Sequence, residues 1–138
     1  MDIPSNIALK LATVPNTYVS ADGNNPSTQM IANRPAIGPW EEFVVVSING
    51  NTVALKTSTG SFVQVHADCK LYPTGSSSQD ESCQFLMTQA IGGTANVNLQ
   101  SISNNKYWSV RLDAEGWLEC SVSNPEAWET FHFRSISP

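Results

Sequence analysis

Hydrophobic residues recur along the chain in short runs that are separated by turn residues. Residues 44–48 (VVVSI) are rich in β-branched side chains, and Asn49 and Gly50 then lead into a second run at 53–55. Asn-Gly between two such runs is a strong hairpin signal, because both residues tolerate positive φ. No segment sustains the i, i+3, i+4, i+7 spacing of an amphipathic helix. The pattern predicts an all-β fold of short strands with little helix.

The same three markers return in each third of the chain at spacings of 42 to 46 residues. They are a leucine, an aromatic residue and a phenylalanine, which fall at Leu9, Leu55 and Leu99, at Tyr18, Phe62 and Tyr107, and at Phe43, Phe85 and Phe131. A unit of about four short strands cannot bury its own apolar face, so we expect three units to share these positions as one core. We place the repeats at about 6–51, 52–94 and 95–138 of a single domain that spans residues 1–138.

Charge and composition argue against several classes of function. The 138 residues include 7 Lys and Arg against 12 Asp and Glu, and no basic cluster occurs, so we expect no nucleic-acid partner. No segment approaches the ~20 apolar residues that span a bilayer, so we expect no membrane insertion. His66 and His132 lie outside any metal-ligand spacing, and no nucleophile elbow or phosphate-binding loop occurs. The sequence therefore predicts a protein without catalytic residues, metal or cofactor.

The chain has three cysteines, Cys69, Cys83 and Cys120, and no CxxC motif. The odd number and the absence of paired spacing predict free thiols.

The first residues of the chain lack the basic start and apolar run of a signal peptide. Both observations favour a cytoplasmic location. A secreted protein whose signal peptide has been removed remains the alternative.

A longer motif carries a family resemblance. Residues 30–43 (MIANRPAIGPWEEF) resemble the signature segment of fascin-like β-trefoil domains, and 53–56 (VALK) with 60–63 (GSFV) are similar to the start of a repeat in that family. The resemblance implies a β-trefoil, in which a six-strand barrel is capped by three hairpins with pseudo-threefold symmetry. Fascins proper resemble arrays of four such domains that bundle actin, whereas single microbial copies resemble carbohydrate-binding modules. Other β-trefoils are lectins or protease inhibitors, and the Gln-x-Trp motif of ricin-type lectins does not occur here.

Two tryptophans provide the candidate binding site. Because side chains alternate along a strand, an inward Phe43 and Phe131 would leave Trp40 and Trp128, three positions earlier, pointing outward. An exposed indole stacks on the C–H face of a pyranose, and neighbouring carboxylates accept hydrogen bonds from its hydroxyls. Repeat 2 has Ser82 at the matching position, which predicts a degenerate site there. The alternative is that both indoles form lids over the hairpin cap.

Repeat 3 contains two further indoles. Trp108 follows the marker Tyr107, so alternation turns it outward. Trp117 lies at a likely turn and precedes Leu118, which we expect to point inward, so we expect Trp117 to be exposed. The complete set predicted to bind carbohydrate is Trp40, Glu41, Glu42, Asn33, Arg34, Trp128, Glu129, Trp117 and Trp108.

The first functional hypothesis is a multivalent, non-catalytic carbohydrate-binding module or lectin, whose partner is a glycan or polysaccharide. The first alternative is a fascin-like cytoskeletal protein with actin or another protein as its partner, although actin and this chain are both acidic. The second alternative is a protease inhibitor that acts through the polar, serine-rich loop at 72–81.

Overall fold

The computed structural model describes residues 1–137, which form three consecutive groups of four strands. Repeat 1 comprises β1 (Asn6–Leu11), β2 (Tyr18–Ser20), β3 (Ile31–Arg34) and β4 (Phe43–Asn49). Repeat 2 comprises β5 (Thr52–Lys56), β6 (Phe62–Val65), β7 (Leu71–Gly75) and β8 (Phe85–Gln89). Repeat 3 comprises β9 (Asn96–Ser101), β10 (Tyr107–Arg111), β11 (Trp117–Val122) and β12 (Phe131–Ser135). Short 3-10 helices occur at Pro39–Glu41, Glu81–Cys83, Leu112–Ala114 and Ala127–Glu129.

The first and last strands of the repeats form a closed antiparallel barrel of six strands. Strand β12 pairs with β1, β1 with β4, β4 with β5, β5 with β8, β8 with β9, and β9 with β12. Closure leaves the barrel without an unpaired edge that would invite aggregation. The two middle strands of each repeat form a hairpin outside the barrel. This architecture is the β-trefoil that the sequence predicts.

Backbone hydrogen bonds join the three hairpins to one another. The N–H of Met30 donates to the carbonyl of Leu71 at 2.8 Å, and the N–H of Leu118 donates to the carbonyl of Met30 at 3.0 Å. The three side chains are buried, Leu118 as predicted. Because these bonds connect different repeats, each hairpin depends on the other two for its position.

Two of the three repeated markers lie in the core. The leucines and phenylalanines are at most 1% exposed, which confirms their predicted role; they are Leu9, Leu55, Leu99, Phe43, Phe85 and Phe131. The aromatic marker does not follow the prediction. Tyr18, Phe62 and Tyr107 are only half-buried, and the residue after each of them is buried instead.

The shift follows from the outward direction of the aromatic marker. Although the pairing register changes at Tyr18 and at Tyr107, the extra residue lies in the partner strand, Asn33 in β3 and Ser121 in β11. Alternation along β2 and β10 is therefore unbroken, and an outward Tyr18 or Tyr107 places Val19 or Trp108 in the core. The prediction that Trp108 faces solvent is wrong because it took Tyr107 as the inward residue.

The three cysteines are free thiols, as predicted. Burial raises the pKa of Cys120 to about 12 and also raises the pKa of Cys83, whereas Cys69 is half-buried. Because the thiolate is the reactive form, we expect iodoacetamide at about pH 8 to modify Cys69 alone in the folded protein. Intact-mass measurement should show one label on the folded protein and three after unfolding without reductant. A second label on the folded protein, or fewer than three after unfolding, would contradict this.

Candidate functional site

The most exposed indole belongs to Trp128, in the short helix before β12. It is 37% exposed and borders a groove of 230 Å³ that Glu126, Ala127 and Glu129 also line. The guanidinium carbon of Arg111 lies 6.0 Å from the centroid of the Trp128 ring. Trp128 thus presents a partly exposed apolar ring with a cation over it.

Arg111 connects Trp128 with a second tryptophan. Arg111 and Trp117 are direct cross-strand partners on β10 and β11, so their side chains share one face of the hairpin. Nη2 of Arg111 also pairs with Oδ2 of Asp113 at 3.3 Å. Trp117 is half-buried, in agreement with its predicted outward direction. Repeat 3 therefore carries two indoles around one guanidinium, and Arg111 is a residue that reasoning from the sequence missed.

Trp40 is less accessible than Trp128. A methyl group added at Gly23 would lie 2.5 Å from Nε1 of Trp40, so the indole lies directly against that backbone. The adjoining turn is held by Asp22, which accepts the amide of Asn25 at 3.1 Å and the N–H of Asn24 at 2.9 Å, and these bonds lower the pKa of Asp22. Trp40 is half-buried, so it acts in part as the predicted lid while keeping an accessible surface.

The predicted use of Glu41 as a sugar ligand is wrong. Glu41 is 7% exposed, and its carboxylate accepts the hydroxyl of Ser20 at 2.6 Å and the N–H of Gly38 at 2.7 Å. The reason is the short helix at Pro39–Glu41, which interrupts the alternation assumed for an extended strand and turns the carboxylate inward.

Glu129 repeats this arrangement in repeat 3, so its predicted role is wrong as well. It is 5% exposed, and it accepts the hydroxyl of Ser109 at 2.6 Å and the N–H of Glu126 at 2.8 Å. Both oxygens therefore have internal donors, and this carboxylate stabilises the fold next to the exposed ring of Trp128.

The remaining predicted residues lie around a different surface. Glu42 is half-buried and lines a separate cleft together with Tyr18 and Arg134, and Trp40 is not part of its lining. Arg34 is half-buried and donates a hydrogen bond to the exposed side chain of Asn33. The predicted set thus divides between the tryptophan surfaces, the core and this cleft.

Repeat 2 has an aromatic pair where a degenerate site was predicted. The ring of His66 stacks on Tyr72 at a centroid distance of 4.0 Å. The phenol of Tyr72 donates to Oδ2 of Asp68 at 2.8 Å, and this bond raises the pKa of Tyr72. The N–H of Lys70 and, more weakly, the same phenol lower the pKa of Asp68.

A row of polar side chains extends from this pair towards Ser82. His66 Nε2 lies 2.7 Å from the hydroxyl of Thr74, which donates to the amide oxygen of Gln64 at 2.9 Å. The amide nitrogen of Gln64 donates in turn to the hydroxyl of Ser82 at 2.9 Å. Polar residues at every second position of β6 and β7 were the available signal, since alternate residues share one face of a hairpin.

Residues 1–137 contain neither a metal-ligating cluster nor a membrane-spanning helix. No group of three or more His, Cys, Asp or Glu side chains is placed there to hold a metal ion. None of the helices in this range has the length and apolar character needed to cross a bilayer.

Several solved structures share this fold. No family model matches the chain, and no curated protein sequence matches it significantly. The designed 3-fold symmetric protein ThreeFoil is 10% identical, with 96% of this chain and 99% of that chain covered and a TM-score of 0.80. The Polyporus squamosus lectin is 11% identical, with 98% and 50% covered and a TM-score of 0.81, so this chain spans about half of that lectin. The BEL β-trefoil is 12% identical, with 98% and 97% covered and a TM-score of 0.82.

At these identities the similarity concerns the fold alone, and the fascin-like branch remains a prediction from the sequence. The barrel, the three interlocked hairpins and the solved neighbours agree that this chain folds as a β-trefoil.

Proposed function

We propose that the protein is a non-catalytic, multivalent carbohydrate-binding module, with its main site on the tryptophan surface of repeat 3. The observation that carries the proposal is the exposed ring of Trp128, with the guanidinium of Arg111 over it and Trp117 on the same face of the hairpin as Arg111. A solved neighbour, the Polyporus squamosus lectin, was crystallised with a sialylated trisaccharide, which supports a glycan as the kind of partner.

The geometry supports weak binding at each site. The groove beside Trp128 holds only 230 Å³ and encloses one sugar ring at most. Stacking of a base on an aromatic side chain contributes about 1–3 kcal/mol, and we assume a similar order for a sugar on an indole. One site should then bind a soluble oligosaccharide with a Kd of about 0.1–1 mM, or about 4–5.5 kcal/mol. A polysaccharide that reaches both Trp128 and Trp40 gains retention through effective concentration.

Trp128→Ala is expected to weaken oligosaccharide binding by about tenfold, because it removes the stacking surface. Trp40→Ala should have a smaller effect, since Trp40 is half-buried, and the double variant should lose retention on an immobilised polysaccharide. A glycan array first identifies the ligand, and titration followed by NMR then gives the affinity of each variant.

Ile91→Ala is the matched control, because Ile91 is 95% exposed in the turn between β8 and β9. It should bind like the unmodified protein. Full retention by the double variant would refute the proposal. Unfolding of Trp128→Ala would show that this ring supports the fold and does not serve primarily as a binding surface.

The actin-binding and protease-inhibitor alternatives remain hypotheses from the sequence. Bundling of actin filaments at stoichiometric protein, measured by low-speed sedimentation, would favour the first of them over carbohydrate binding.

A further inference from the structure

A second concave surface lies between the β2–β3 hairpin and the end of β12. It has a volume of 640 Å³, against 230 Å³ for the groove beside Trp128. An aromatic ring, a carboxylate and a guanidinium line it, contributed by Tyr18, Glu42 and Arg134. We call it the Tyr18–Arg134 cleft.

The polar groups of this cleft have no internal partners within residues 1–137. In that range the guanidinium of Arg134 and the carboxylate of Glu42 form no ion pair, and neither their side chains nor the phenol of Tyr18 form a hydrogen bond. By contrast, the carboxylates of Glu41 and Glu129 are fully occupied by internal donors. Side chains whose donors and acceptors are free are the ones available to a ligand.

Arg134 places a cation in this cleft although the protein as a whole is acidic. The chain has a net charge of −5 and contains three arginines, Arg34, Arg111 and Arg134. Among the described residues that line the cleft, Arg134 is the one basic side chain and Glu42 is the one acidic side chain. Arg34, the cross-strand partner of Tyr18, lies outside the lining and donates its hydrogen bond to Asn33.

We propose that the Tyr18–Arg134 cleft binds a carboxylate-bearing saccharide of the uronic-acid type. The guanidinium of Arg134 matches a carboxylate in a two-pronged hydrogen-bonded pair, and the ring of Tyr18 offers a surface for the pyranose. Glu42 accepts hydrogen bonds from the sugar hydroxyls. Glu42 would repel a phosphate or sulfate and would gain no hydrogen bond from it. A uronate carries a single negative charge, and its hydroxyls donate hydrogen bonds to an acceptor such as Glu42.

This site is separate from the tryptophan surface of repeat 3 and does not depend on binding there. The test is a titration, followed by NMR, with a short oligogalacturonate, with a neutral galacto-oligosaccharide of equal length and with inorganic phosphate. Oligogalacturonate should shift the amide signals of Arg34, Ala36, Ile37 and residues 134–137, and raising the salt concentration should weaken this binding.

Arg134→Gln should weaken oligogalacturonate binding by about tenfold or more, because the ligand's charged partner is lost. Lys70→Gln is the matched control, because it removes one positive charge from the hairpin of repeat 2, outside both proposed surfaces, and it should leave oligogalacturonate binding unchanged. Arg134 is exposed, so its replacement should preserve the fold. Neutral oligosaccharide should bind equally well to Arg134→Gln and to the unmodified protein.

Three outcomes would overturn the proposal. They are an unchanged affinity of Arg134→Gln for oligogalacturonate, an equal loss in Lys70→Gln, and phosphate binding in the cleft as tightly as the uronate. Failure of the neutral saccharide to bind anywhere would count against the tryptophan surface alone, so the two proposals fail separately.

Discussion

Replacing Trp108 by alanine is expected to lower the free energy of unfolding by about 3–5 kcal/mol, the range for large aromatic residues in well-packed cores. Trp108 is completely buried, and its ring meets Phe85 and Phe131 edge to face at centroid distances of 5.2 and 6.0 Å. These two phenylalanines belong to different repeats, so the indole joins the core of repeat 2 to that of repeat 3. Equilibrium unfolding in guanidinium, followed by fluorescence and circular dichroism, measures the loss.

Trp128→Ala is the matched control for Trp108→Ala, because it deletes the same side chain from an exposed position in the same repeat. Its unfolding free energy should stay within about 0.5 kcal/mol of the unmodified protein, as for most surface substitutions. Equal losses in the two variants would show that the inward direction of Trp108 has been assigned wrongly.

Glu129→Ala is expected to cost about 2–4 kcal/mol, although a surface glutamate normally contributes little. The carboxylate accepts the hydroxyl of Ser109, a residue that is 0% exposed, and the N–H of Glu126. Hydrogen bonds to charged groups contribute about 1.5–3 kcal/mol each, and a buried donor left without an acceptor adds its desolvation cost. Thermal and denaturant unfolding of the variant measure the effect.

Glu81→Ala provides the comparison, since Glu81 is an exposed glutamate in the corresponding short helix of repeat 2. It removes the same charge and should leave stability nearly unchanged. Similar losses in the two variants would indicate a general effect of net charge and would exclude the specific role of the Glu129 hydrogen bonds.

Repeat 2 shows how the buried pair of serine and glutamate is replaced. At the positions that match Ser109 and Glu129 it has Gln64 and Cys83. Cys83 is buried, and Gln64 turns instead to the hydroxyl of Ser82. Exchanging both members avoids an unsatisfied buried donor, which is the costly outcome of removing one. We therefore expect Glu129→Ala to be rescued in part by Ser109→Ala.

The sequence alone was sufficient for the architecture. Turn residues between β-branched runs predict the strands, and the tripled leucine and phenylalanine markers predict a shared core, with Leu99 and Phe131 among its completely buried members. Repetition by itself does not fix direction, because the tripled aromatic marker is half-buried in all three repeats. The leucine and phenylalanine predictions succeed because these apolar residues lie in the barrel strands, whose inner face is the core.

The candidate site required the tertiary structure, because single-residue offsets decide which side chains face solvent. The outward direction of Tyr107 places Trp108 in the core, and a short helix turns Glu41 and Glu129 inward. Neither feature changes the local alternation of the sequence, so strand periodicity does not reveal which residues face inward. The position of Arg111 opposite Trp117 depends on strand pairing, and the Tyr18–Arg134 cleft joins residues more than a hundred positions apart. Such long-range neighbours are set by closure of the barrel and packing of the hairpins, which no local pattern contains.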